Sequence, residues 1–335
     1  MSFKSILLLV LSLLFTAISY SQNPQDADDV VRVETDVTNL PFTASDKSNR
    51  FITTLRQSDI RVLEDGVPQQ ITTFQRETDR PLSLAFLIDI SASEERTLPE
   101  EKRAARAFIE AIIQSKKDQA AILPFTGDTF VEQGLTRDVF AIYRALERVE
   151  VAMPSYLGSG RPLTGITSGP GMKRPPQEGS TAIWEAIALT ANEVLAKSAV
   201  QRRRAIILLT DGRDTTSRIS QNEAINTALA AETVIYAIGI GDSKYEGVDR
   251  NELKNLAQRT GGRAFFPKKD VDLTSVFKDI EQELRTQYLI AYSSTNKNRN
   301  GDYRRIRIEI INPQLQKDQL TLRHRPGYFA KPLGN

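Results

Sequence analysis

The rhythm of apolar and polar positions changes twice along this chain. Between residues 30 and 78, Val31, Val33, Thr35 and Val37 alternate with charged or polar side chains, and residues 60–63 and 71–74 are two further short apolar-rich runs. A period of two turns one face of a strand inward, so this stretch predicts β-structure. The two runs flank Glu64-Asp65-Gly66, and Asp-Gly between strands predicts a tight hairpin.

From residue 82 the pattern becomes continuous apolar runs separated by helical periodicity. Strands are expected at 82–88, 119–125, 205–209, 233–238 and 262–266, and helices at about 99–115, 137–149, 181–198, 221–231, 251–260 and 272–286. Buried strands alternating with helices specify an α/β fold, a doubly wound, mostly parallel sheet covered on both faces. After residue 287 strand alternation returns at 288–292, 303–311 and 319–323, around a turn at 298–302. Lone hairpins are marginally stable in water. The expected architecture therefore inserts an α/β domain, 80–286, into a small β-sandwich built from an N-terminal segment, 30–79, and a C-terminal segment, 287–330.

Two stretches fall outside these periodicities. Residues 152–179 are rich in glycine, proline and serine, and long loops of this kind in compact domains carry function or lack order. Entering the helix at Thr181, this loop, with Arg161, Lys173 and Arg174, is expected to overhang a site there and shape its specificity. At the N-terminus, Lys4 precedes a leucine-rich run at 6–18, with small residues at Ser19 and Ser21. That predicts a signal peptide over 1–21, removed on export. The run is shorter than the roughly 20 apolar residues of a membrane span, so the expected product is periplasmic or secreted, with no span after cleavage.

Composition removes some function classes. The 335 residues carry 44 basic and 42 acidic side chains, a formal charge of +2, which is too balanced to make nucleic acid a partner. There is no cysteine and one histidine. Stability rests on packing without disulfides, and a zinc centre of the histidine–cysteine kind has no ligands to draw on.

Chemistry concentrates at strand ends. The run 84–88 leads straight into Asp89-Ile90-Ser91-Ala92-Ser93. Ligands of open α/β sheets collect at the carboxyl ends of strands, and alternate residues of an extended turn point the same way, so Asp89, Ser91 and Ser93 present three oxygens together. A later strand ends in Leu208-Leu209-Thr210-Asp211-Gly212, and Gly179-Ser180-Thr181 opens a helix. Carboxylate and hydroxyl oxygens suit magnesium, manganese or calcium.

Asp-x-Ser-x-Ser, then Gly-x-Thr, then Leu-Thr-Asp-Gly, in this order, resembles the metal-ion-dependent adhesion site of von Willebrand factor A domains, which are Rossmann-like. The resemblance spans about residues 82–286 and fills all five positions: Asp89, Ser91, Ser93, Thr181 and Asp211. It implies direct ligation by Ser91, Ser93 and Thr181, ligation by Asp89 and Asp211 directly or through water, and an open position for a glutamate or aspartate of a protein partner. Ala92 departs from the glycine many members carry. The segments 51–74, 287–292 and Arg325-Pro326-Gly327-Tyr328 resemble the flanks of exported bacterial proteins of this class.

Other conspicuous residues have plainer readings. Asp214 reads as a turn residue or helix cap, Glu94 and Glu95 as first-turn helix charges, and Arg202-Arg203-Arg204 as a solvated turn. Trp184 reads as a helix-packing residue and His324, in a C-terminal strand, as a surface or packing histidine, since the topology does not bring it beside Ser91 or Ser93 as a hydrolase would need. The sequence thus predicts a non-enzymatic adhesion module that binds an acidic side chain through a divalent ion. The alternatives are a phosphoryl hydrolase with Asp89 as nucleophile, which lacks a general acid because Ser91 stands where one is needed, and an envelope scaffold with a vestigial metal site.

Overall fold

The computed structural model describes residues 37–76, 80–91, 94–114, 116–152, 161–162, 180–199, 201–210, 213–240, 249–267 and 273–330. The expected signal peptide lies outside the described residues, as does most of the 152–179 loop.

The described residues begin with strands β1 (Val37–Ser45), β2 (Ile60–Glu64), β3 (Val67–Gln69) and β4 (Ile71–Arg76). The α/β part follows as β5 (Leu82–Asp89), α1 (Leu98–Ile112), β6 (Gln119–Phe125), β7 (Phe130–Val131), β8 (Gln133–Thr136) and α2 (Val139–Arg148). It continues through β9 (Arg161–Pro162), α3 (Ile183–Leu189), β10 (Arg203–Thr210), α4 (Gln221–Ala230), β11 (Thr233–Gly239), α5 (Arg250–Thr260), β12 (Ala264–Phe265) and α6 (Leu273–Thr286). The last elements are β13 (Tyr288–Ser293), β14 (Tyr303–Ile310), α7 (Pro313–Lys317), β15 (Thr321–His324) and β16 (Gly327–Phe329).

The large sheet has the order β12-β11-β10-β5-β6-β8. Its strands pair in parallel except β8, which closes one edge antiparallel to β6. Strand β5 shows why this sheet needs helices on both sides. Leu84, Phe86 and Ile88 pack into one core with α1, α2 and α6, and Ala85 and Leu87 pack into the other with α3, α4 and α5. Every residue of β5 is buried, so a continuous apolar run is what two-sided burial requires. From β5 the chain steps to β6 on one side and later returns to β10 on the other. That reversal opens a crevice at the carboxyl end of β5.

Strands from both ends of the chain form two four-stranded sheets, β15-β1-β13-β4 and β16-β14-β2-β3. Each mixes N- and C-terminal strands, and they share one core of Phe42, Val62, Tyr288, Ile290, Ile308 and their neighbours. The Asp65-Gly66 hairpin forms, with both residues at positive φ (49° and 83°), but Glu64 pairs with Val67. The run at 71–74 is not the hairpin partner. It crosses to the other sheet and pairs with β13.

Three sequence readings change. The helix expected over 181–198 starts at Ile183 and continues beyond Leu189 as a π-turn over Thr190–Leu195. Strand β8 was not anticipated, since Gln-Gly-Leu-Thr has no strand rhythm. The third is the Arg202-Arg203-Arg204 run, which is no solvated turn. Arg202 donates to Ser83 Oγ at 2.7 Å and the Lys117 carbonyl at 2.7 Å. Arg203 reaches the Leu284 carbonyl at 2.6 Å, and Arg204 the carbonyls of Ser198 and Ala231 at 2.8 and 2.9 Å. These guanidinium groups collect carbonyls that helix ends and crossovers leave without partners.

Candidate metal site at the carboxyl rim of the sheet

Asp89 ends β5 and is fully buried. Its position follows from pairing on both sides: Ile88 lies opposite Leu209 of β10, and Asp89 opposite Phe125 of β6. A buried carboxylate needs donors. Thr210 Oγ1 donates to Asp89 Oδ2 at 2.7 Å, and the Ser91 N–H donates to Asp89 Oδ1 at 3.0 Å. The second bond closes an Asx-type turn that bends the chain back over the strand end. Ser91 is itself 5% exposed, and the Ile90 N–H holds the Phe125 carbonyl at 3.0 Å.

Thr181 arrives from a distant part of the chain. The Ala182 N–H donates to the Thr126 carbonyl at 2.8 Å, which fastens this segment to the residue following β6. Thr181's own N–H donates to Thr215 Oγ1 at 2.8 Å, and its carbonyl accepts from the N–H groups of Thr215 and Thr216 at 2.8 and 3.2 Å. Its backbone is thus engaged on both sides while the residue is 4% exposed. Gly127 permits the close approach, since a Cβ there would lie 2.5 Å from Ser180 Oγ. Thr181 stands two residues ahead of α3 and does not open the helix.

Asp89, Ser91 and Thr181 are therefore gathered at one rim by bonds through β6, β10 and the loop after β10. Ser93 and Asp211, the other two expected ligands, lie outside the described residues. The donor set present suits a hard divalent cation: one carboxylate and two hydroxyls, all oxygen, on a backbone held by hydrogen bonds.

The surroundings contain residues the sequence reading passed over. Thr210, quoted in the motif, is the brace of Asp89. Thr126 and Gly127 follow a third buried strand, and the strand-end logic applied to β5 and β10 would have found them. Asp214 is a helix cap, as read, but it caps from afar: its Oδ2 accepts from the Trp184 N–H at 3.1 Å and from Ser217 Oγ at 2.5 Å. Trp184 packs in the core, as expected. His324 is partly buried beside β14, where its Nε2 accepts from the Ile308 N–H at 3.4 Å.

Glu94 corrects the sequence reading. It precedes α1 instead of lying in its first turn, and it is 1% exposed. Its Oε2 accepts from Thr97 Oγ1 at 2.5 Å. Next to it Glu101 is buried on α1, and burial pushes its carboxyl up to about 7. Thr97 and Glu94 oppose that rise, and the charge of Asp89 adds to it.

Comparisons with known proteins agree with this fold. Models of the von Willebrand factor type A domain match residues 84–213 and residues 172–282. A stretch of 82 residues, 24% of this chain, is 33% identical to mouse integrin alpha-X and covers 7% of that protein. Proximal thread matrix protein 1 from the mussel byssus shares the fold, with a TM-score of 0.50 and 19% identity over 66% of this chain and 51% of the mussel chain. A structure of that protein with a zinc-occupied MIDAS motif aligns equally, at 0.50 and 19%, over 66% and 50%. The chain thus spans about half the length of the mussel protein and a small part of the integrin.

Proposed function

We propose that this chain, which carries a von Willebrand factor type A domain, is an exported binding protein that takes a divalent cation at its rim site and captures an acidic side chain of a protein partner there. The observation that supports the reading is that Asp89 ends β5 with Ser91 following it, while the Thr181 segment is fastened to the residue after the neighbouring β6 and Asp89 is held by Thr210.

Asp89, Ser91 and Thr181 would hold the ion with Ser93 and Asp211. When bound, the ion supplies an electrophilic position for a carboxylate oxygen. The residues of this chain do the rest. Asp89 offers charge from a fixed carboxylate, the hydroxyls add oxygens without charge, and the bonds from Thr126, Thr215 and Thr216 hold the Thr181 segment in place. The run at 6–18 behind Lys4 supports export.

Binding is favoured over phosphoryl transfer by the state of Asp89. Both its oxygens accept hydrogen bonds and the residue is fully buried, whereas a nucleophile needs an open approach to the reacting atom. Magnesium, manganese and calcium suit the oxygen donors. The mussel protein's site holds zinc, so zinc belongs among the ions tried.

Chelator-treated protein titrated with each ion by calorimetry and thermal unfolding tests the reading. Magnesium or manganese should raise the midpoint, and Asp89→Ala and Thr181→Ala should remove the rise. A wild-type protein indifferent to every ion would refute the cation site. Capture of a partner that survives chelation would refute the metal-bridged mode, and turnover of a phosphoester lost in Asp89→Ala would replace binding with catalysis.

A further inference from the structure

Arg325, from the Arg-Pro-Gly-Tyr segment, takes no part in the rim site. It lies at the opposite end of the large sheet, where β5, β10 and β11 begin and the sandwich strands pack against them. Two glycines fix its place. Gly261 ends α5 at φ 89°, and a Cβ there would come within 2.9 Å of the Arg325 nitrogen. At Gly327 a Cβ would come within 2.2 Å of the Arg304 carbonyl oxygen. The backbone that carries Arg325 is thus wedged between α5 and β14.

The side chain is 8% exposed. Its Nη2 donates to the Asn39 carbonyl at 2.9 Å, and the Tyr328 ring centre lies 5.5 Å from its guanidinium carbon. Nε has no hydrogen-bond partner. Among the described residues no carboxylate forms an ion pair with it. Glu232, the carboxylate whose charge acts on it most, is exposed. Burial pushes the guanidinium pKa down, but arginine does not give up its proton in a protein. A buried charge without a counter-charge is among the least favourable groups a fold can hold.

This guanidinium borders a cavity of about 50 Å³. Arg202, Arg204 and Arg325 are among the residues that line it, and among the described lining residues Glu232 is the carboxylate. Asn39, Thr233 and Gln287 add polar groups, and Leu82, Leu229 and Leu289 close the remainder. Water occupies about 30 Å³ per molecule in the liquid, so the void has room for one or two waters or one small ion. The buried charge of Arg325, with Nε unbonded, selects the ion.

We propose that this cavity is a binding site for a small monovalent anion, of the size of chloride or acetate, with Arg325 as its principal ligand. The anion neutralises the guanidinium at the place where the sandwich meets the α/β domain, so its occupancy stabilises the contact between them.

The test uses the purified chain in chelator, which silences the rim site. Thermal unfolding is followed while chloride or acetate replaces gluconate, an anion too large for the cavity, at constant ionic strength. A saturable rise of about 2–6 °C is expected, and the anion that saturates at lower concentration is the better ligand. Asp89→Ala should respond as the wild type does, and Arg325→Met should not respond. Should Arg325→Met fail to fold, crystals soaked in bromide give an independent measurement, with an anomalous peak expected beside the guanidinium. A wild-type midpoint that follows ionic strength alone, a response that survives in Arg325→Met, or a cavity without bromide would each overturn the proposal in favour of a water-filled void.

Discussion

Thr210 Oγ1 lies 2.7 Å from Asp89 Oδ2, so the last residue of one central strand orients the carboxylate at the end of its neighbour. A partner behind a metal ligand typically changes affinity by about 10–100-fold when lost. Thr210→Val keeps the shape and removes the donor. Calorimetric titration with manganese should show weaker binding of that order, while Thr210→Ser, which restores the hydroxyl, recovers most of it. Equal affinities in all three proteins would mean that Asp89 is oriented by other contacts.

Asp214 holds the first turn of α3 through the Trp184 N–H and Ser217. Removing a helix-capping carboxylate costs about 0.5–2 kcal/mol, so Asp214→Ala should lower urea-unfolding stability by that amount. Because Thr181 lies three residues before Trp184, cation affinity should fall as well. A stability loss with unchanged affinity would separate the cap from the site.

In the sandwich, Glu64 is buried and accepts hydrogen bonds from the hydroxyls of Tyr292 and Tyr328, both at 2.9 Å, with Arg304 3.4 Å away. Burial, helped by the charge of Glu64, pushes the Tyr292 hydroxyl well above the usual tyrosine range. Glu64→Ala would leave Arg304 buried without its carboxylate, at a cost of about 3–5 kcal/mol. Equilibrium denaturation should register it. A loss below about 1 kcal/mol, the range of exposed pairs, would show that water replaces the carboxylate.

Glu283 on α6 is 2% exposed and 3.7 Å from Arg323 of β15. Burial raises its carboxyl above the ordinary 4.5, against the pull of Arg323 and Arg263. The folded protein therefore keeps this proton to higher pH than the unfolded chain does. The resulting stability is fully present below 4.5 and is lost as pH rises through the raised value. Glu283→Gln, which cannot ionise, should gain on the wild type as pH increases from 4.5, measured by urea unfolding at several pH values. A difference between the two proteins that does not change with pH would contradict the raised value.

Residues 84–88 and 205–209 were legible as buried strands because two-sided burial demands unbroken apolar runs; Asp89 and Ser91 stood out because chemistry in such sheets sits at strand ends, and Thr181 through its Gly-x-Thr motif. Less was legible where local pattern and tertiary environment part. Arg202, Arg203 and Arg204 look like a charged surface turn, yet their guanidinium groups fold inward onto carbonyls that exist only once distant helices end beside them. Glu94 looks like a surface helix charge and is buried by the turn ahead of α1. Residues 71–74 look like half of a hairpin and belong to the other sheet.

The sequence by itself determined the order of the elements and the chemical types of the site, since period, turn chemistry and donor chemistry are local properties. Only the tertiary structure decided that Thr210 braces Asp89, that Thr126 and Thr215 hold Thr181, and that Arg325 is buried where the sandwich meets the sheet. Those relations join residues 34 to 286 positions apart. They arise from which strands become neighbours, which no local window of sequence contains.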